Sequence, residues 1–264
     1  MSPTELRQRI ATSRTLGKEA TAAGAREYIE RIQSDENGHI DPHGRANAVL
    51  ARRALLAAQP KSAQLSASDW TSVAPRDIGG RTRAIWVDPT NSSRALAGLA
   101  TGGIWETTNA GASWRPVADA AESMVISSIA SDGVNPSILY AGTGEVSQGN
   151  QGYGVLKSSD GGRTWALLPG TIPGTVDAIG TPCTPSASTA AFSFNYVARV
   201  ATHPTQSGIV LAAARRGVYR SSDAGATWRC TTPYNSDTFR EHVMQDVRFD
   251  PNNGNNAIAS GLDG

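Results

Sequence analysis

Ser158-Ser159-Asp160-Gly161-Gly162-Arg163-Thr164-Trp165 has two relatives in the same chain, Thr107-Thr108-Asn109-Ala110-Gly111-Ala112-Ser113-Trp114 and Ser221-Ser222-Asp223-Ala224-Gly225-Ala226-Thr227-Trp228. The shared form is Ser/Thr-x-Asp-x-Gly-x-Ser/Thr-Trp. Each position has work to do in a tight hairpin: a carboxylate accepts hydrogen bonds from turn amides, glycine supplies a positive φ, and tryptophan packs its ring back on the turn. Asn109, Gly111 and Trp114 are therefore read as structural, as are Asp160, Gly162 and Trp165 in the second copy and Asp223, Gly225 and Trp228 in the third. Asn109 loses the charge but keeps an amide oxygen that accepts, so the first hairpin should form like the others.

The similarity extends upstream of each motif. Arg83 to Pro89, Arg94 to Gly98 and Gly103-Ile104-Trp105 precede the first; Ile126 to Ala130, Asn135-Pro136, Ile138 to Gly142 and Gly154-Val155-Leu156 precede the second; Val197 to Ala201, His203-Pro204, Ile209 to Ala212 and Gly217-Val218-Tyr219 precede the third. Each unit reads strand, turn, strand, Gly-rich turn, strand, hairpin, strand, which is a four-stranded propeller blade. The expected fold is all-β: a β-propeller with blades at about 81–118, 124–168 and 196–231 and an incomplete one at 243–264 that starts at Val243 to Pro251. A ring closes with about four to eight blades, so the natural protein is expected to continue beyond this sequence. Trp70 to Val73 reads as the strand that would complete a last blade.

Residues 1–64 are expected to form a short α-helical leader before the propeller at 65–264. Ser2-Pro3-Thr4-Glu5 fits a capping box opening a helix to about residue 33, and a second helical stretch covers Arg45 to Gln59. Ten basic against seven acidic residues give this leader +3, the charge of a solvated face. Asp35, Asn37 and Asp41 lie in a turn that lacks the ligand spacing of a calcium loop.

With 264 residues, 39% of them hydrophobic, the chain can build a sizeable core, and a net charge of +1 argues against nucleic acid as partner. No apolar run is long enough for membrane insertion, and Met1 to Arg7 holds no signal-peptide h-region, which leaves either a leader already removed or a protein that stays inside. Cys183 and Cys230 have no metal-ligand spacing and are either bridged or both unpaired. Nothing points to a cofactor or a metal: His203-Pro204 stands where other units have Asp88-Pro89 and Asp250-Pro251, and Gly142-x-Gly144 has no βαβ context.

Insertions relative to the minimal repeat mark the face opposite the hairpins. They are Gly144 to Tyr153, Pro169 to Tyr196 and Thr231 to His242, and they mix amides, carboxylates and aromatic rings in the way glycan or peptide sites do. Candidate binding residues are Glu145, Asn150, Tyr153, Asn195, Tyr196 and Arg240. Arg81 and Arg83 join them, since alternate positions at the start of an innermost strand point the same way. The other reading of the arginine pair is a set of ion pairs between blades.

The repeated motif resembles the Asp box (BNR repeat) of sialidases, sortilin-like domains and xyloglucan hydrolases, and the stretch from Trp70 to Gly264 resembles bacterial secreted proteins of the sortilin-like or sialidase-like kind. The resemblance implies a secreted or periplasmic protein whose partner is a polysaccharide or a protein. A sialidase-like site would open with an Arg-Ile-Pro strand. Gly79 to Ile85 has no proline, so Arg81 or Arg83 alone is left of it. Xyloglucan hydrolases place a catalytic Asp before the Gly-Gly of the first blade, where this chain has Ala100. Glu145 is the one weak catalytic candidate, and a single acid does not make a two-carboxylate mechanism. The chain reads as a non-catalytic extracellular binding module, with a fragment of a glycoside hydrolase as the alternative.

Overall fold

The computed structural model describes residues 81–117, 125–145, 150–172, 179–180, 193–231 and 242–263, together with Ser34, Ala51, Ala54 and Leu55. The chain divides into two compact units, Met1–Ala51 and Arg52–Gly264, and every sheet lies in the second. The helices expected in the leader fall outside the described residues except at Ala51, Ala54 and Leu55, which are helical. Trp70 to Val73 and Arg240 also lie outside them.

Four antiparallel units follow one another. The first sheet is β1 (Thr82–Asp88), β2 (Asn91–Leu99), β3 (Ile104–Thr107) and β4 (Arg115–Pro116), hydrogen-bonded in that order. The second repeats the pattern with β5 (Ile126–Ser131), β6 (Leu139–Thr143), β7 (Val155–Ser158) and β8 (Ala166–Leu167). The third has β10 (Val197–Thr202), β11 (Val210–Ala214), β12 (Gly217–Ser221) and β13 (Trp228–Cys230), with β9 (Ile179–Gly180) added parallel to β13. The last pairs β14 (His242–Phe249) with β15 (Ala257–Asp263).

The first strands β1, β5, β10 and β14 lie side by side, so that successive sheets stack face to face. Stacking explains the burial. Middle sheets have a neighbour on each face, so β6 and β11 are buried along their whole length, whereas β1 buries Ala84 and Trp86 and leaves Ile85 and Val87 exposed. Between the second and third sheets sit Tyr140, Val155, Phe194, Val197, Tyr219 and Trp228. The Phe194 ring lies 4.9 Å from the Tyr219 ring, tilted by 46°, and meets Trp228 edge-on at 5.7 Å. Leu211, Ala213, Val218 and Val247 pack between the third and fourth.

Each first strand carries a register shift at the same place, between Thr82 and Ala84, Ile126 and Ser128, Val197 and Arg199, and Met244 and Asp246. One extra residue there bends the strand and re-aims the side chains near its start. The turn after each first strand is also shared. Asp88, Asp132 and Asp250 accept backbone N–H bonds from the residue two positions on, and His203 does the same through Nδ1 from Thr205 and Gln206. His203 is thus a turn residue, as its alignment with the aspartates indicates.

The second and third hairpins share one hydrogen-bond scheme, and the first keeps its hydroxyl and Oδ1 bonds. In the second, the Ser158 hydroxyl accepts from the amides of Asp160 and Gly162 and donates to Asp160, while Asp160 accepts from the amide and hydroxyl of Thr164 and the Trp165 indole donates to the Gly162 carbonyl at 3.0 Å. The third repeats every bond with Ser221, Asp223, Thr227, Gly225 and Trp228. Asn109 keeps the Oδ1 bonds of the first hairpin and reverses one: its Nδ2 donates to Ser113 Oγ at 2.8 Å. Two residues in a row take positive φ, Ala110 and Gly111, Gly161 and Gly162, Ala224 and Gly225.

Cys230 on β13 is disulfide-bonded, and Cys183 is the one other cysteine in the chain. Strand β9 pairs along the outer edge of the third sheet, on β13.

Candidate functional site

At the end of the sheets opposite the hairpins, the turn from β6 toward β7 folds back on itself. Gly144 has φ +96°, and a Cβ there would stand 2.4 Å from the Asn195 carbonyl and 2.8 Å from the Gly152 amide, so glycine alone fits. Glu145 and Asn150 then exchange backbone hydrogen bonds of 2.7 and 3.1 Å. That bridge directs the Glu145 side chain back toward the first sheet.

There it meets the start of β1. Arg81 donates through Nη1 and Nη2 to the two carboxylate oxygens at 2.7 and 2.5 Å, a bidentate pair between neighbouring sheets. Arg83, the extra residue of the β1 register shift, brings Nη1 to 3.4 Å from Glu145 Oε1. Asn150 Nδ2 completes the group at 3.4 Å. The carboxylate is 1% exposed, against 46% and 38% for the Arg81 and Arg83 side chains. A buried carboxylate is stable only with such partners, and here it anchors two cations whose outer faces remain in water. Two guanidiniums against one carboxylate leave one positive charge at the surface. The two arginines tie the first sheet to the second through Glu145 and keep part of their surface in water.

The remaining candidates occupy a different environment. Tyr153, Asn195 and Tyr196 are buried at 1%, 4% and 7% exposure, and the Asn195 carbonyl accepts from the Gly152 amide. They weld the Gly144 to Tyr153 turn to the entry of β10. Arg215, beside the Tyr196 ring at 5.4 Å, adds a cation to this end that the sequence reading passed over. The signal was the Arg215-Arg216 pair in the short turn before Gly217. Phe194, at the end of the Pro169 to Tyr196 insertion, is a core residue.

The arrangement of the sheets decides their nature: repeated antiparallel units, stacked through their first strands, with shared turns at both ends. They are blades of a β-propeller. No protein-family model matches the chain, and no curated protein matches it. Solved structures similar to it include an ancestral GH74 enzyme, at 18% identity and TM-score 0.38 over 66% of this chain and 26% of that one. The GH74 xyloglucanase from Xanthomonas campestris is similar at 18% identity and TM-score 0.36, over 69% and 35%. YCF48 from Cyanidioschyzon merolae is similar at 14% identity and TM-score 0.39, over 59% and 38%. The chain thus spans 26 to 38% of the length of these structures.

Within the blades, Glu106, Asp132 and Asp246 are each held by named partners. Glu106 is buried and held below the usual carboxylate range; burial opposes this, and hydrogen bonds from Arg115 and Arg94 outweigh it. Asp246 is lowered in the same way, against burial, by Arg199 of the preceding blade and Arg248. Asp132 accepts from the Val134 and Asn135 amides on one oxygen and from Ser207 and the Gly208 amide of the next blade on the other. Ala100, where a catalytic aspartate was looked for, is buried and its amide bonds the Arg81 carbonyl at 2.9 Å. Among the described residues no group of three or more His, Cys, Asp or Glu could hold a metal ion, and no helix is long and apolar enough to cross a membrane.

Proposed function

We propose that this propeller is a non-catalytic binding module, secreted or periplasmic, that engages a glycan or a protein at the end carrying Arg81 and Arg83. The observation that carries this reading is the accessible arginine pair held on the buried Glu145. Such a pair is rigid and cationic, and it suits a ligand bearing carboxylate or sulfate groups. The hairpin hydrogen bonds support membership of the Asp-box propellers.

Hydrolysis of a glycosidic bond needs one carboxyl group to donate a proton and another to act as base or nucleophile. Among the described residues, Glu145 has both oxygens committed to Arg81, and Glu106, Asp132 and Asp246 are each bound by blade partners. This favours the binding module over the hydrolase alternative.

The test is titration calorimetry against acidic and neutral polysaccharides and acidic peptides. Acidic ligands should bind, more weakly as salt rises, and the Arg81→Ala/Arg83→Ala double variant should lose about tenfold or more in affinity. Equal affinity in the variant would remove the arginine face from consideration. Release of reducing sugar from any polysaccharide would overturn the non-catalytic reading.

A further inference from the structure

Blades meet at their turns as well as through their faces. Arg94 of the first blade donates to the Gly161 carbonyl in the second hairpin, and a Cβ on Gly162 would stand 2.6 Å from Leu96 of the first blade. Lys157 of the second blade donates to the Ala224 carbonyl of the third hairpin at 3.1 Å, and a Cβ on Gly225 would run into Leu168 of the second blade. The turns after the first strands are seated in the same manner. Asp132 takes the Ser207 hydroxyl and the Gly208 amide of the third blade. His203 holds the place of Asp132 one blade on, and its ring lies against Gly254 of the fourth: a Cβ on Gly254 would run into its Cε1 and Nε2.

The residue before Gly254 is an asparagine whose side chain is held in a way that recurs. Asn91, Asn135 and Asn253 stand three residues after Asp88, Asp132 and Asp250. Each Oδ1 accepts the amide two residues on, from Ser93, Ser137 and Asn255, at 3.1, 3.1 and 3.2 Å. Such a turn folds the side-chain amide over the peptide that follows and sets Cγ beside the next backbone nitrogen. The three turns differ in the owner of that nitrogen. After Asn135 it belongs to Pro136 and has no hydrogen; after Asn91 it belongs to Ser92, which carries a Cβ; after Asn253 it belongs to Gly254. Among the described residues the Gly254 amide donates to no acceptor. Asn253 is exposed, and so are Asn135 and Gln206 at the same place in blades that have a following neighbour, so the exposure belongs to the position in the turn.

We infer that Asn253-Gly254 is a site of spontaneous covalent modification. The Gly254 nitrogen attacks Cγ of Asn253. The new N–Cγ bond closes a five-membered imide, the Cγ–Nδ2 bond breaks, and Nδ2 leaves as ammonia with the proton given up by the Gly254 nitrogen. Water then opens the imide. Opening at Cγ gives aspartate, whose Oδ1 still accepts from Asn255. Opening at the main-chain carbonyl gives isoaspartate, which routes the backbone through Cβ and lengthens it by one methylene immediately before Gly254. The His203 ring leaves no room for one added carbon at that glycine, so the lengthened turn comes off it. The contact between third and fourth blades then opens at this end, slowly and in one direction.

The test ages the 264-residue chain at mildly alkaline pH and digests it with trypsin. Cleavage after Arg248 isolates residues 249–264 from the other Asn-Gly pair of the sequence, Asn37-Gly38. The 249–264 peptide should gain about 1 Da and accept a methyl group from an isoaspartate-specific methyltransferase. Asn91 and Asn135 should be modified at least about tenfold more slowly. The amides of Thr205 and Gln206, which bond His203 Nδ1, should exchange faster in the aged chain. Freshly made Asn253→Asp should keep the parent's exchange, and Asn253→Gln, which would need a six-membered ring, should not age. The proposal is wrong if Asn253 survives in the folded chain while the free 249–264 peptide is fully modified, or if Asn91 reacts as fast as Asn253. Isoaspartate at 253 with unchanged exchange at Thr205 and Gln206, or fresh Asn253→Asp exchanging as fast as the aged chain, would overturn the release of the His203 contact.

Discussion

Asp160 sits at the centre of the second hairpin, where its carboxylate accepts from the Thr164 amide and hydroxyl and from the Ser158 hydroxyl. Burial raises its pKa, but the Thr164 hydroxyl and amide and the Ser158 hydroxyl lower it further, to about 2. Asp223 is lowered by the same groups of its own hairpin. The folded value lies below the unfolded one, so this stabilisation is complete above about pH 4 and is lost as the pH falls through about 2. Asn109 shows how to remove the dependence. Asp160→Asn should keep the Oδ1 bonds, cost less than about 1 kcal/mol at neutral pH and reduce the acid sensitivity. Comparing urea midpoints at pH 7 and pH 2 for parent and variant tests this, and an unchanged difference would refute it. Asp160→Ala removes the carboxylate's bonds to Ser158, Arg163 and Thr164 and should cost about 1–3 kcal/mol at pH 7.

Elements differ in how far their bonds reach along the chain, and that decides what could be read in advance. The hairpin bonds join residues two to four apart, so an eight-residue window holds them all, and Asn109, Asp160 and Asp223 were legible as turn residues. Arg81 and Glu145 are 64 residues apart and meet only when two sheets dock. Position alone picks both out, and ion pairs between blades are one of two readings of the arginines, but nothing in the sequence names Glu145 as their partner. The cations that reach the next hairpin stand at unlike places, Arg94 within β2 and Lys157 directly before the second motif, so no common position marked them in the sequence. Strand β9 left none, since two residues carry no period. It lies beside β13, and Cys230 is bridged there. Reduction should therefore destabilise the protein by about 2–4 kcal/mol and open the outer edge of the third sheet to hydrogen exchange. A melting temperature indifferent to reductant would contradict this.

Across the whole molecule, cohesion is concentrated where blades meet, and it is uneven. Phe194, Tyr219 and Trp228 form one aromatic group between the second and third blades. Phe194→Ala should cost about 3–5 kcal/mol in chemical denaturation. Ile85, on the face of the first blade turned away from the second, is 67% exposed, and Ile85→Ala should stay within about 0.5 kcal/mol. Similar costs for the two would mean that the outer face of the first blade is covered in solution.

The seating of the hairpins has a direction. Arg94 and Leu96 come before Gly161 and Gly162 in the chain, and Lys157 and Leu168 come before Ala224 and Gly225. During synthesis from the N-terminus, the second and third hairpins leave the ribosome after the residues that receive them. For these two the growing chain waits on no unmade sequence: the blade before each is the template on which it is laid.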